Sequence, residues 1–165
     1  MSDILILNTG GTFNKRYDEL SGELFVPRDE QAVEAILTEL RGNLDFRLVG
    51  LIHKDSLEMD DDDREQLAQI ILAAEERKVL IVHGTDTMHL TAAHLAARCP
   101  GRRMVLTGAM KPYAYDRQEA AVNLALSLGW LIAGEGEGVH IGMHGLVRPY
   151  AEIVKDRARG VFRAV

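Results

Sequence analysis

The chain has a single cysteine, Cys99, so it cannot form an internal disulfide. No run of apolar residues approaches the ~20 that a membrane-spanning helix needs, and the start lacks the basic and long apolar segments of a secretion signal. We therefore expect a cytoplasmic protein with no membrane partner.

Positive charge is also scarce, with 19 lysines and arginines against 25 acidic residues, which disfavours a generic nucleic-acid binder. Arg157, Arg159 and Arg163 form a small basic group, which indicates a solvated face.

Patterns that bind metals are missing as well. His89 and His94 are five residues apart, whereas two ligands on one helical face are about four apart, and no HExxH or paired-cysteine motif occurs. The four aspartates at positions 60–63 lack the alternating ligands and the glycine of a calcium loop. They are typical of a helix start, where acidic side chains are favourable. The sequence predicts neither a metal nor a cofactor.

Short aliphatic segments alternate with segments of helical periodicity along the whole chain. Because these aliphatic segments are apolar throughout, we expect strands buried on both faces, as in a parallel sheet. Strands are predicted at residues 4–7, 46–52, 79–82, 104–107 and 139–143, and helices at 33–40, 60–74, 87–97 and 121–128. The pattern predicts an α/β fold, a three-layer αβα sandwich with a mainly parallel, doubly wound sheet. Residues 151–154 fit either another short strand or an irregular loop.

The length of 165 residues and the 47% of apolar residues suit one domain with one continuous core. No repeat, low-complexity block or linker divides the chain, and we interpret the glycine-rich stretch 134–138 as a loop. Residues 1–165 are therefore expected to form a single domain.

Polar motifs follow four of the predicted strands at the point where each strand ends. They are Thr9-Gly10-Gly11-Thr12, Lys54-Asp55-Ser56, His83-Gly84-Thr85-Asp86-Thr87 and Thr107-Gly108-Ala109-Met110-Lys111. In a doubly wound sheet, ligands bind beyond the carboxyl ends of the strands. We expect the four loops to converge on one rim and to form a single site there.

Each of these residues has a structural interpretation beside a functional one. Thr12 could present a nucleophilic hydroxyl, or it could be an ordinary residue after a glycine turn. Asp86 suits a helix N-terminus as well as a ligand for a substrate ammonium, and Asp55 and Ser56 could cap the acidic helix or contact substrate. The glycine spacing fits neither a phosphate loop nor a dinucleotide-binding loop.

In this order, the motifs resemble those of the bacterial-type L-asparaginase/glutaminase family of threonine amidohydrolases. The first and third motifs, 9–12 and 83–88, are similar to the two signatures of that family. Met59 after Asp55-Ser56, the stretch 108–112, and Asn123 in the following helix add to the resemblance, which covers essentially the whole chain. The resemblance implies the fold of the family's N-terminal domain.

The resemblance also implies roles for individual residues. Thr12 would be the nucleophile that forms an acyl-enzyme, assisted by Tyr17 from a mobile loop. Thr85, Asp86 and Lys155 would form the second catalytic group. Ser56 and Asp86 would hold the α-carboxylate and α-ammonium of the substrate, and the remaining substrate contacts would come from Gly11, Asp55 and Gly84.

Two features depart from the family pattern. Family members usually carry a smaller C-terminal domain, which contributes an acidic residue to the site of a neighbouring subunit, and this sequence has no counterpart to that domain. Leu57 occupies a position where a polar contact to substrate is common. We expect a homo-oligomer, a dimer or tetramer, that closes the open site.

The function that the resemblance implies is hydrolysis of L-asparagine to L-aspartate and ammonia, with possible weak glutaminase activity. Two alternatives stay open, namely an amidase for another small carboxamide and a non-catalytic sensor or subunit that binds an amino acid. A threonine hydroxyl is a weak nucleophile that needs a base, and a lysine beside an aspartate and a threonine could supply one. The chemistry needs no cofactor.

Overall fold

The aliphatic segments form the centre of a six-stranded sheet in the computed structural model, which describes residues 2–165. The strands are β1 (Ile4–Gly10), β2 (Arg16–Asp18), β3 (Glu23–Phe25), β4 (Phe46–Lys54), β5 (Lys78–Val82), β6 (Arg103–Thr107), β7 (Gly138–Met143), β8 (Leu146–Pro149), β9 (Ile153–Asp156) and β10 (Val161–Ala164). The helices are α1 (Gln31–Glu39), α2 (Asp61–Ala73), α3 (Met88–Arg98) and α4 (Arg117–Ala133), and 3₁₀ turns lie at Thr12–Asn14, Ser56–Glu58 and Tyr150–Glu152.

The sheet has the strand order β4-β1-β5-β6-β7-β8. The first five strands are parallel, and only the edge strand β8 pairs in the antiparallel sense, with β7. Every residue of β1 and β6 is buried, because helices cover both faces of the sheet. The prediction of a mainly parallel, three-layer fold is confirmed.

Alternate side chains of each strand enter two separate cores. Leu5 and Leu7 of β1 pack on one face with α2 and α3, whereas Ile4 and Ile6 pack on the other face with α1 and α4. The helical residues of the first core include Leu67, Ile71, Ala92 and Leu95, and those of the second include Val33, Ile36, Leu124 and Leu128. The helical periodicity in the sequence therefore marks the faces that turn towards the sheet.

The acidic segment before α2 starts that helix, as predicted. Asp60 accepts a hydrogen bond from the backbone N–H of Asp63 at 2.9 Å, and Asp63 accepts one from the N–H of Asp60 at 3.0 Å. This reciprocal capping box satisfies two backbone donors that a helix otherwise leaves free. The aspartates are thus used in helix capping.

Several short elements were not predicted. β2 and β3 form a separate hairpin, β8 extends the sheet, and β9 pairs with β10 in a second hairpin. Residues 151–154 divide between a 3₁₀ turn and the start of β9. These strands have three or four residues each and are partly exposed, so their sequences lack the long apolar runs of buried strands.

One predicted helical stripe is confirmed in part. The periodicity of Ala121, Leu124, Ala125 and Leu128 places Leu124 and Leu128 correctly on the buried face of α4, but Ala121 and Ala125 are only half-buried. The buried face continues instead through Ala120 and Leu131. Because α4 is apolar on most of its surface, periodicity alone could not fix its rotation.

Among residues 2–165, no helix combines the length and apolar character needed to span a bilayer.

Candidate active site

All four predicted loops meet at the carboxyl end of the parallel strands, and a Cβ atom added at Gly108, after β6, would overlap the carbonyl oxygen of His83 in the loop after β5. Gly11 follows β1 with φ 76°, and a Cβ atom added there would lie 2.5 Å from the Cα of Gly84, which follows β5. A Cβ atom at Gly84 would in turn lie 2.6 Å from the Oγ of Ser56, which follows β4. No larger residue fits at either glycine without displacing the neighbouring backbone, so the glycines allow the loops to close on each other.

Thr12 begins the 3₁₀ turn that follows Gly11 and is partly exposed. The next two residues, Phe13 and Asn14, are buried and fix the turn. Asn14 exchanges two side-chain hydrogen bonds of 2.9 Å with Asn8 of β1. The Thr12 hydroxyl makes no hydrogen bond within residues 2–165, so it is available to a ligand at the rim.

Lys155 of β9 joins the second predicted group. Its Nζ donates to the Oγ1 of Thr85 and to the Oδ1 of Asp86, each at 2.8 Å, although about 70 residues separate them in sequence. Thr85 is buried, and only 14% of the Lys155 side chain is exposed. The hydrogen bond from Lys155 holds the pKa of Asp86 below its usual range, because it stabilises the carboxylate form. The structure therefore brings Thr85, Asp86 and Lys155 together as predicted.

Arg157 binds the same carboxylate while its side chain stays mostly exposed, so the basic group that was predicted to be a solvated face also supplies an ion pair to Asp86. Its Nη1 donates to the Oδ1 of Asp86 at 2.6 Å, and its Nη2 donates to the backbone carbonyl oxygen of Asp86 at 3.1 Å. No sequence pattern marked this contact, because Arg157 lies in the turn that follows β9 and its partner is about 70 residues away. Arg159 and Arg163 lie elsewhere, 3.9 and 3.5 Å from Asp156.

His83 is a further residue of the site that the sequence analysis did not identify. It is fully buried; its Nδ1 donates to the carbonyl oxygen of Gly84 at 2.7 Å, and its Nε2 accepts from the hydroxyl of Thr91 at 2.8 Å. Arg64 also donates to Thr91, at 3.2 Å. Burial lowers the pKa of His83 to about 4, because an imidazolium would lose its hydration there. A neutral histidine thus anchors the loop that carries Thr85 and Asp86.

Asp55 and Asp86 do not cap the helices that the sequence suggested. The Oδ1 of Asp55 accepts from the backbone N–H of Leu57 at 3.0 Å, so Asp55 caps the 3₁₀ turn at Ser56–Glu58 and not α2. Its Oδ2 accepts from Lys15 at 2.6 Å, which ties the loop after β4 to the loop after β1. The N-cap position of α3 belongs to Thr87.

Ser56 is buried between the loops. Its Oγ accepts from the backbone N–H of Thr87 at 3.3 Å, and its carbonyl oxygen accepts from the Thr87 hydroxyl at 2.8 Å. These contacts hold Ser56 against the loop that carries Asp86.

Tyr17 lies on β2, away from this cluster of side chains. Its side chain is 54% exposed, and its hydroxyl does not hydrogen-bond Thr12. The Tyr17 hydroxyl lies near Gly22, in the turn of the same hairpin, since a Cβ atom added at Gly22 would be 3.8 Å from it. A role for Tyr17 in proton transfer stays a prediction, and it requires the β2–β3 hairpin to close over Thr12.

The β9–β10 hairpin that carries Lys155 is anchored through His144. In the hairpin, Phe162 pairs with Lys155, and its backbone N–H donates to the Nδ1 of His144 at 3.1 Å. The Nε2 of His144 donates to Glu119 at 2.7 Å, and the other carboxylate oxygen of Glu119 accepts two backbone N–H groups from the loop after β6. Through this link the fourth predicted loop also positions Lys155.

Residues 2–165 contain no group of three His, Cys, Asp or Glu side chains arranged to hold a metal ion. The rim instead has the free hydroxyl of Thr12, a lysine hydrogen-bonded to a threonine, and closely packed glycine loops. Such a set suits nucleophilic attack on a carbonyl group.

Comparison with known proteins supports the same kind of chemistry. A family model described as "Asparaginase, N-terminal" matches residues 3–162. Similar sequences include glutamyl-tRNA(Gln) amidotransferase subunits from Pyrococcus horikoshii, 28% identical over 155 residues, and from Archaeoglobus fulgidus, 29% identical over 150 residues. Each alignment covers 88% of this chain but only 34% and 35% of the two relatives, so the chain spans about a third of their length.

Two solved structures share the fold. The thermostable L-asparaginase from Thermococcus kodakarensis is similar with a TM-score of 0.84 and 22% identity, over 98% of this chain and 51% of that one. A probable cytoplasmic L-asparaginase from Campylobacter jejuni has a TM-score of 0.82 and 25% identity, over 99% of this chain and 53% of that one. The chain therefore spans about half the length of these structures.

Proposed function

Because the chain belongs to the asparaginase family, through a match to its N-terminal domain, we propose that it is an amidohydrolase that releases ammonia from a small carboxamide. The observation that carries the proposal is the cluster of Lys155, Thr85 and Asp86 on the rim where Thr12 presents its hydroxyl. L-asparagine, giving L-aspartate, is the reference substrate, since both similar structures are L-asparaginases. Weak turnover of glutamine is also expected, because one methylene gives limited discrimination.

The proposed reaction proceeds through an acyl-enzyme. The Thr12 hydroxyl attacks the amide carbonyl, and the hydrogen-bonded Thr85–Lys155 pair acts as the base that takes up the proton. Backbone N–H groups of the loops after β1 and β5 stabilise the oxyanion, a contribution of about 3 kcal/mol per donor. The N–H of Gly11 is not one of these donors, because it binds the carbonyl oxygen of Lys54 at 2.9 Å. The proton returns to the leaving nitrogen, ammonia departs, and water hydrolyses the ester.

The proposal is tested by ammonia release from L-asparagine and L-glutamine. We expect Thr12→Ala to abolish release and Lys155→Met to reduce it by about 10²- to 10⁴-fold, the range for loss of a general base. Thr38→Ala, at an exposed position of α1, is the control and should leave the rate unchanged. Full activity in Thr12→Ala would refute the acyl-enzyme.

A second candidate function follows from the curated relatives, which are named as subunits of an amidotransferase. In that case this chain would release ammonia for use by a partner protein. Ammonia release by the purified chain alone supports the independent hydrolase. If no amide is turned over and Thr12→Ala binds amino acids as well as the wild type does, a role as a sensor or as part of a larger complex is favoured.

We further propose that the chain works as a cytoplasmic homo-oligomer. Val122 and Leu126 on α4 are exposed apolar side chains in a helix that has few polar residues. Surfaces of this kind are often covered in assemblies.

Another small carboxamide in place of L-asparagine stays an alternative within the same chemistry.

A further inference from the structure

The carboxylate of Asp86 is shared by two cationic side chains. Lys155 and Arg157 both donate to its Oδ1, at 2.8 and 2.6 Å, and Arg157 also binds the backbone carbonyl oxygen of the same residue. An arginine stays protonated in proteins, so Arg157 alone balances the charge of Asp86. Lys155 adds a further positive charge whenever it is protonated. An incoming ammonium would therefore meet no net negative charge at this carboxylate.

The neighbouring acid is also neutralised. Asp55 precedes Ser56, which is hydrogen-bonded twice to Thr87, the residue after Asp86, and this places both carboxylates on the same part of the rim. The Nζ of Lys15 lies 2.6 Å from the Oδ2 of Asp55, and this pair is largely shielded from solvent. The side chain that follows, Leu57, is exposed and offers no charge. These residues together attract an anion more than a cation.

Arg157 itself is available to a ligand. Its side chain is 61% exposed, and its two contacts with Asp86 leave further guanidinium N–H groups free. A planar guanidinium matches a carboxylate in geometry as well as in charge. A substrate carboxylate could thus bind Arg157 without displacing Asp86.

We propose that the site prefers amides that carry a carboxylate but no free α-ammonium, and that Arg157 determines this preference. This inference rests on the proposed amidohydrolase function and names its substrate class, the monoamides of dicarboxylic acids that lack an amino group. Succinamate is the simplest probe, because it is L-asparagine without the ammonium group. Its hydrolysis breaks the C–N bond, forms the Thr12 ester, releases ammonia, and gives succinate when water cleaves the ester.

The test compares succinamate with L-asparagine in the wild type, in Arg157→Gln and in the control Arg159→Gln. Arg159 is exposed and does not contact Asp86, so its substitution should leave both rates unchanged. In the wild type we expect kcat/KM for succinamate to exceed that for L-asparagine by at least about tenfold, mainly through KM. Arg157→Gln should lower the value for succinamate about tenfold and should not lower that for L-asparagine.

A binding arm separates this inference from the proposed function. Calorimetry on Thr12→Ala, with and without Arg157→Gln, measures the affinity for each amide without any turnover. Tighter binding of succinamate that is lost in the double variant supports the inference even if the wild type hydrolyses neither amide, which would refute only the proposed function. A wild-type preference for L-asparagine, or an equal loss for both amides in Arg157→Gln, overturns the inference.

Discussion

His83 shows how a single buried side chain can support a site without facing the substrate. Its ring bridges the carbonyl oxygen of Gly84 and the hydroxyl of Thr91, and the neutral tautomer with the proton on Nδ1 satisfies both hydrogen bonds. A proton on Nε2 would add charge in a fully buried position that already lies near Arg64. The folded state therefore resists protonation of this residue, whereas the unfolded chain does not.

This difference predicts a loss of stability in acid. The pKa of His83 is about 4 in the folded protein against an ordinary value of 6.5, so below pH 6.5 the unfolded state binds the extra proton. The contribution of His83 is complete above pH 6.5 and declines as the pH falls towards 4. Between pH 7 and pH 5, the wild type should lose about 2 kcal/mol more unfolding free energy than His83→Gln.

Urea unfolding at the two pH values measures this difference. His89→Gln is the matched control, because His89 is exposed on α3, next to the same loop. It should lose as much stability on acidification as the wild type does. An unchanged pH dependence in His83→Gln would show that folding does not lower the pKa of His83.

At the scale of elements, the β9–β10 hairpin controls where Lys155 lies. The hairpin is outside the main sheet, and its link to the sheet runs from Phe162 through His144 to Glu119 at the start of α4. His144 adopts φ 52°, which is uncommon for a residue other than glycine. The turn after β7 is thus held in a conformation that presents the His144 ring to both partners.

His144→Ala should therefore lower activity from a distance. The variant leaves the N–H of Phe162 without an acceptor, which costs about 1–2 kcal/mol of unfolding free energy, and it frees the hairpin to shift. Because a small displacement of a catalytic group is costly, the rate of ammonia release should fall at least about tenfold, with circular dichroism unchanged. The fall should appear in kcat more than in KM.

His94→Ala is the control for this element. His94 pairs with Glu65 on a partly exposed surface, so its loss should cost at most about 1 kcal/mol and leave the rate unchanged. His144→Gln tests the role of the ring, since an amide can replace one of its two hydrogen bonds and should restore part of the rate. A normal rate in His144→Ala would exclude positioning of Lys155 through this link.

At the scale of the whole molecule, the parallel sheet brings four loops to one rim and leaves that rim open. Lys155, Asp86 and Arg157 are all partly exposed. A neighbouring copy could cover this rim as well as the apolar side chains of α4. We therefore expect that a neighbouring copy in the oligomer completes the site.

Light scattering measures this directly. We expect a mass of two or four times the 18.3 kDa of the chain, and activity that falls on dilution as the assembly dissociates. A strict monomer with full activity would contradict the idea that neighbouring copies complete the site.

The sequence by itself determined the central sheet and the identity of the loops. The aliphatic runs of β1, β5 and β6 can only be buried strands, and glycines 10, 11 and 84 mark where the backbones must approach closely. Local patterns of this kind are sufficient because each is caused by the burial or conformation of the segment itself. The resemblance to a known family then identified Thr85, Asp86 and Lys155, which the structure brings together.

Only the tertiary structure decided which charges meet. Arg157 resembled any exposed arginine in the sequence, and His83 and His144 carried no pattern that linked them to Gly84 or Phe162. These contacts join segments from different strands and helices, and their partners depend on how the loops and the β9–β10 hairpin pack at the rim. Hydrogen bonds and ion pairs between distant segments leave no periodic signal, because a single polar residue at the right place is enough to form them.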